Sequence, residues 1–335
     1  MLYNELMDKK TTTFDKRNFY NDKDSGMVFL FSLILPILLS LVFSLIANVI
    51  VAAGGYEDSS EVTNSIWFTT VLSVVSAISY VVLYLVYNKI NKIEYNAIKL
   101  KFKMKWHTYL IVVAIGVIAL FGIQYFIGGV DDLLKLIGFP LQEASPDSPE
   151  SLANPQSFGI FVLAVFITGL IPAITEELLF RGIILNGLRT RFNDYSAIFL
   201  SAFMFALMHQ SLQQLVYPFL LGSIMAWLVV RTGSLVSSMI VHFINNFLVI
   251  LFTYLSNTTS FSLNMPNTWW SYLITILLLA VTFGIMYLID RYYFKHKSAE
   301  MVEKSSTKTS VYIYVSIAIA LVLLLFITIF NFVSA

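Results

Sequence analysis

Long apolar runs separated by short polar stretches dominate the chain, and these runs set its elements. About nine of them reach or approach the roughly 20 residues that a helix needs to cross a bilayer. They fall near residues 27–53, 66–87, 109–127, 158–188, 197–209, 215–230, 235–255, 270–289 and 311–332. A short amphipathic piece is expected near 131–136, followed by a polar, Pro-containing loop at 140–156. The run at 197–209 is short for a full crossing and is expected to end inside the protein body. The pattern predicts an all-α polytopic membrane protein with a central core of four closely spaced helices at 158–255. About three helices in 1–157 precede that core, and two in 256–335 follow it.

Charge placement orients the helices. The stretch between the second and third runs carries Lys89, Lys92, Lys99, Lys101, Lys103 and Lys105, whereas the one between the first and second carries Glu57, Asp58 and Glu61 and no basic residue. Basic loops stay in the cytoplasm, so the N-terminus is expected inside and, with nine crossings, the C-terminus outside. Arg189, Arg191, Arg231, Arg291, Lys295 and Lys297 continue the pattern on the inner side, while 131–156 and 256–268 are net acidic or uncharged. Trp67, Trp106, Trp269 and Trp270 fall at run ends, where interfacial anchors belong. His107 and His296, next to lysines, read as interfacial, and the polar cluster at 304–310 as a plain cytoplasmic loop. The first 26 residues lack the apolar h-region of a signal peptide, so the first run is expected to stay as a helix.

Composition narrows the chemistry. Only 12% of residues are charged and 58% are hydrophobic, against about 25% charged in soluble domains, so the main solvent is lipid. A net charge of +1 does not imply nucleic acid as a partner. With no cysteine there is no thiolate nucleophile, no Cys-ligated zinc and no disulfide. Catalysis must then come from Glu, Asp, His or Ser, or from a metal on N and O ligands. The missing cysteines and the abundance of Lys, Asn, Ile and Phe suggest a bacterial chain, placed as a multi-pass protein in the cytoplasmic membrane.

Charged and polar residues inside the runs are costly, by roughly 2.5 to 3.5 kcal/mol per charge on insertion scales, and so point to function. Residues 171–181 read I-P-A-I-T-E-E-L-L-F-R. On a helix Glu177 and Arg181 are i,i+4 and can pair, while Glu176 is turned away by about 100°. Pro172, four residues before Glu176, removes a backbone hydrogen bond and should kink or loosen the helix there. Other runs contribute His209, in F-A-L-M-H, and His242 with Asn246, in H-F-I-N-N, which share a face that Asn245 does not. Phe205 and the Gly222/Ala226 pair read as packing residues. A carboxylate and an imidazole aimed at one water make a general base, and a second imidazole with an amide suits the oxyanion of peptide hydrolysis. A Glu, His, His set, here Glu176, His209 and His242, is equally able to hold zinc with an open fourth position. By helix rise, His242 lies about 10 Å and His209 roughly 20 Å from the cytoplasmic ends of their runs. Tilt, a kink at Pro172 or a short fifth helix must bring them level.

E-E-L-L-F-R, F-A-L-M-H and H-F-I-N-N, in that order and each in a membrane run, resemble the EExxxR, FxxxH and HxxxN motifs of the CPBP intramembrane proteases. That family includes type II CAAX prenyl endopeptidases and the Abi proteins of bacteriocin processing and self-immunity. R-T-G-S-L at 231–235 also fits its pattern. The resemblance implies that Glu176 is the general base acting with His209 on water. His242 and Asn246 would form the oxyanion site, with Glu177 and Arg181 supporting the first two. The expected function is an intramembrane endopeptidase acting on a membrane-associated protein or peptide. The alternative is a non-proteolytic membrane scaffold or bacteriocin immunity protein. A transporter or proton relay lacks the paired broken helices it would need.

Overall fold

The apolar runs form helices in the computed structural model, which describes residues 17–54, 56–98, 103–136, 151–212, 215–260, 269–295 and 309–334. Most of the expected loops at 140–156 and 256–268, Lys99, Lys101, Lys297, His296 and nearly all of the 304–310 cluster lie outside these residues. In chain order the helices are α1 (Asp22–Ala52), α2 (Ser59–Asn64), α3 (Ile66–Ile90), α4 (Trp106–Leu136), α5 (Phe158–Arg189), α6 (Asp194–Met208), α7 (Val216–Thr232), α8 (Leu235–Thr258), α9 (Trp269–Leu288) and α10 (Val311–Ser334). A π-helical turn, Ile289–Phe294, continues α9. The described residues contain no strand beyond one bridge between Arg17 and Ile93.

Seven helices are long and apolar enough to cross a membrane: α1, α3, α4, α5, α8, α9 with its π turn, and α10. The runs expected at 197–209 and 215–230 form the shorter α6 and α7, of 15 and 17 residues. At 1.5 Å per residue they measure about 22 and 26 Å, against roughly 30 Å of hydrocarbon. The chain is thus a multi-pass membrane protein whose middle contains two sub-length helices. The expected amphipathic piece at 131–136 is the continuation of α4.

The interior is a largely apolar core that also encloses polar side chains, and the outer faces are apolar. Leu41, Leu45, Val322 and Phe326 are exposed, as lipid-facing side chains are, while Asp24, Ser32, Glu177, Arg181 and Ser238 are buried. α5 lies at the centre, with α1 on its second half, α3 on its glutamate segment and α8 along its length. α6 and α7 form an antiparallel pair, and α4 packs against both α7 and α8. α9 lies on α4, and α10 on α1.

The polar stretch before the first run is part of this packing. Asn21 caps α1 reciprocally with Asp24, a capping box that starts the helix at Asp22, ahead of the expected boundary. The buried Asp24 also pairs with Arg17 at 2.8 Å and accepts the Tyr87 hydroxyl at 2.7 Å. Arg17 bonds the backbone of Lys92 and Glu94, and Asn186 donates to the Ile98 carbonyl. These contacts bring the N-terminal segment, the α3–α4 loop and the end of α5 to one side. On α2, Asp58 is the cap. The Ser60 hydroxyl, helped by the Glu61 and Ser60 amides, holds its carboxyl below the usual carboxylate range.

Candidate active site

α5 is not a uniform helix. Two π-helical segments, Val165–Leu170 and Leu178–Ile184, flank the α-helical Ile171–Glu177. Such widenings inside α-helices are frequent at functional sites. Proline supplies the local reason for the first. Pro172 has no N–H to offer the carbonyl of Thr168 four residues earlier, so that oxygen loses its regular helical donor. The amide of Asn246 on α8 takes the place, donating from Nδ2 to Thr168 O at 3.1 Å. The loosening expected at Pro172 is therefore present, and it serves as the docking point for a motif residue.

Below it, the two glutamates separate. Glu177 is fully buried, and its Oε1 accepts from Arg181 Nη1 at 2.8 Å and from His242 Nδ1 at 3.0 Å. Arg181, also fully buried, donates from Nη2 to the Gly222 carbonyl at 3.1 Å and stacks 4.4 Å from the centroid of the Phe205 ring. Gly222 has little room for a side chain, since a Cβ would meet Phe205 Cδ1 at 3.2 Å and Arg181 Nη2 at 3.3 Å. One guanidinium therefore ties α5 to α6 and α7. Glu176 is half-buried and makes no hydrogen bond among the described residues. Its carboxylate lies within electrostatic reach of Tyr80, Arg181 and His209.

The histidines converge on Phe205, whose ring meets those of His209 and His242 edge-on at 5.0 and 5.9 Å. His209, part-buried, is the C-cap of α6. His209 Nδ1 lies 2.9 Å from the Phe205 carbonyl. A carbonyl only accepts, so Nδ1 carries the hydrogen and Nε2 of the neutral ring is an acceptor. The Glu177 carboxylate, paired with Arg181, assigns the same tautomer to His242.

Two placements add to the reading of the motifs. Glu177 bonds His242 directly, so its support runs to the second histidine rather than to Glu176 and His209. α8 packs on the Ile171–Glu177 segment, which puts His242 within reach. Asn245, off the face that His242 and Asn246 share, is joined to Asn246 and Tyr217. It is buried, donates from Nδ2 to Asn246 Oδ1 at 3.1 Å and accepts the Tyr217 hydroxyl. Tyr217, in the first turn of α7, carries no sequence signal beyond that of an interfacial tyrosine.

The zinc arrangement does not fit. Among the described residues no three His, Asp or Glu side chains come together as metal ligands, and this includes Glu176, His209 and His242.

Residues 158–248 match the family described as type II CAAX prenyl endopeptidase, Rce1-like. It is the family of membrane proteases that the three motifs resemble. The Rce1-like segment holds Glu176, Glu177, Arg181, His209, His242 and Asn246, with α5, α6, α7 and more than half of α8. α1 to α4, α9 and α10 lie outside it. No match was found among curated proteins or among solved structures.

Proposed function

We propose that this chain is an intramembrane endopeptidase that hydrolyses a peptide bond by direct attack of an activated water. The carrying observation is the division of labour between adjacent glutamates. Glu177 is neutralised by Arg181, while the side chain of Glu176 is left without a hydrogen bond and within electrostatic reach of His209, whose Nε2 is an acceptor. In this reading Glu176, aided by His209, takes a proton from water. The hydroxide adds to the scissile carbonyl carbon, and the proton is returned to the leaving nitrogen as the C–N bond breaks. His242 and Asn246 receive the oxyanion. For His242 to donate there, Nε2 must carry a hydrogen in addition to Nδ1, and the resulting imidazolium faces the Glu177 carboxylate. Glu176, Glu177 and Arg181 sum to one negative charge, which that proton balances.

The catalytic core is residues 158–255, and the helices on either side shape access and substrate choice. The chain sits in a bacterial cytoplasmic membrane with its N-terminus inside and, counting α6 and α7 as crossings, nine spans. Its substrate is a membrane-associated protein or a secreted peptide precursor, cleaved near the cytoplasmic side.

The test is co-expression of wild type, Glu176→Ala and His209→Ala with comparative mass spectrometry of small released and secreted peptides. Both variants are expected to abolish a processed product while accumulating normally in the membrane. Normal processing by both overturns the proposal. A phenotype that survives Glu176→Gln assigns the chain instead to a non-proteolytic scaffold or immunity role.

A further inference from the structure

Tyr217 and Asn245 stand outside the motif residues, yet they form the first half of an unbroken chain of hydrogen bonds ending at the proposed oxyanion amide. The Tyr217 hydroxyl donates to Asn245 Oδ1. Asn245 Nδ2 then donates to Asn246 Oδ1 at 3.1 Å, and Asn246 Nδ2 to the Thr168 carbonyl at 3.1 Å. Every link runs in one direction, so each bond polarises the next.

The chain also removes the ambiguity of both carboxamides. The Thr168 carbonyl can only accept, which puts an Asn246 N–H against it. The Asn245 N–H then requires oxygen at the other end of the Asn246 amide. One N–H of Asn246 is left over, on a residue that shares a helical face with His242. The Thr168 contact alone would leave the amide free to rock about its side-chain bond. The Asn245 contact supplies the second point that fixes its plane.

We propose that Tyr217 and Asn245 are positioning residues that set the Asn246 amide so that its remaining N–H meets the oxyanion. The proposal rests on the proteolytic reading of the site, and the Pro172-generated carbonyl of Thr168 is the far anchor. Polar glue between helices explains a bond from α7 to α8. It does not explain why the bonds continue to a motif side chain and finish on the carbonyl that Pro172 denies its regular helical donor.

The experiment has two arms on the full-length protein in detergent micelles. In the first, side-chain amide signals of 15N-asparagine-labelled protein are assigned from their loss in Asn245→Asp and Asn246→Asp. Tyr217→Phe is expected to shift the signals of both asparagines. A shift confined to Asn245 overturns the relay, whatever the protein cleaves. In the second, an internally quenched farnesylated CAAX peptide is the probe. Tyr217→Phe is expected to lower kcat about tenfold with KM within about twofold, as loss of an interaction made only in the transition state requires. Residues acting in series are non-additive, so Tyr217→Phe combined with Asn245→Leu should be no slower than Asn245→Leu alone. Multiplying effects, or a change in KM alone, overturn the positioning role. If Glu176→Ala still cleaves the probe, the proteolytic reading has failed separately, and the asparagine signals alone decide whether the relay exists.

Discussion

Removing Arg181 would leave the Glu177 carboxylate as a bare charge in a dry part of the protein. Breaking a buried pair by deleting one partner is destabilising by about 3–5 kcal/mol, so Arg181→Met should lower the thermal unfolding temperature in detergent markedly. Glu177→Leu together with Arg181→Met should cost less than the sum of the two single changes, because no uncompensated charge then remains. Additive losses would mean that the pair is not coupled. The same substitution removes the stacking on Phe205 and the bond to the Gly222 carbonyl. Both histidines lean on Phe205, so loss of processing is expected to accompany loss of stability. At Glu176 the expectation is opposite: a half-buried side chain with no hydrogen bond can be replaced with little effect on unfolding, while the reaction stops. The two neighbours differ by about 100° around one helix, and on the proposed mechanism that rotation separates a structural carboxylate from a working one.

At the scale of elements, the irregularity of α5 carries the argument. Giving residue 172 an N–H returns a regular donor to the Thr168 carbonyl and sets it in competition with Asn246. Pro172→Ala is therefore expected to keep or raise thermal stability, since proline inside a helix is unfavourable by about 3 kcal/mol, while processing falls at least tenfold. A stable variant with full processing would show that the carbonyl is dispensable. Sequence reading reaches the helices, Pro172, the Glu177–Arg181 pair and the sub-length α6, because hydropathy and i,i+4 spacing are local properties of a chain. It does not reach the bond between Glu177 and His242, which depends on how α8 crosses α5. Nor does it reach the burial of Asn245. A residue off one helical face is free to face lipid only when that flank is uncovered, and α8 is covered by α5 on one side and by α4 and α7 on others. Tyr217 is hidden for the same reason: its partner lies 28 residues away on another helix.

For the whole molecule, the absence of cysteine makes orientation directly measurable. Single cysteines at two exposed positions, Glu61→Cys on α2 and Lys89→Cys at the end of α3, should label differently in intact cells with a membrane-impermeant maleimide. The first is expected to react from outside and the second only after lysis; the reverse pattern would invert the topology. The molecule also closes on itself through α1. Its inner flank is polar at Asp22, Asp24, Ser25 and Ser32. Ser25 donates to the Ile184 carbonyl 159 residues later, and Asp22 accepts from the Ser310 amide 288 residues later. At a synthesis rate of about 5–20 residues per second, these partners emerge roughly 8–30 and 15–60 s after α1. Part of the polar flank of α1 is thus covered only after these later segments emerge. For that interval Asp24 already has Arg17 and then Tyr87, whereas Ser25 still lacks its acceptor on α5 and Asp22 its donor at Ser310, so the polar flank of α1 is closed in steps as synthesis proceeds.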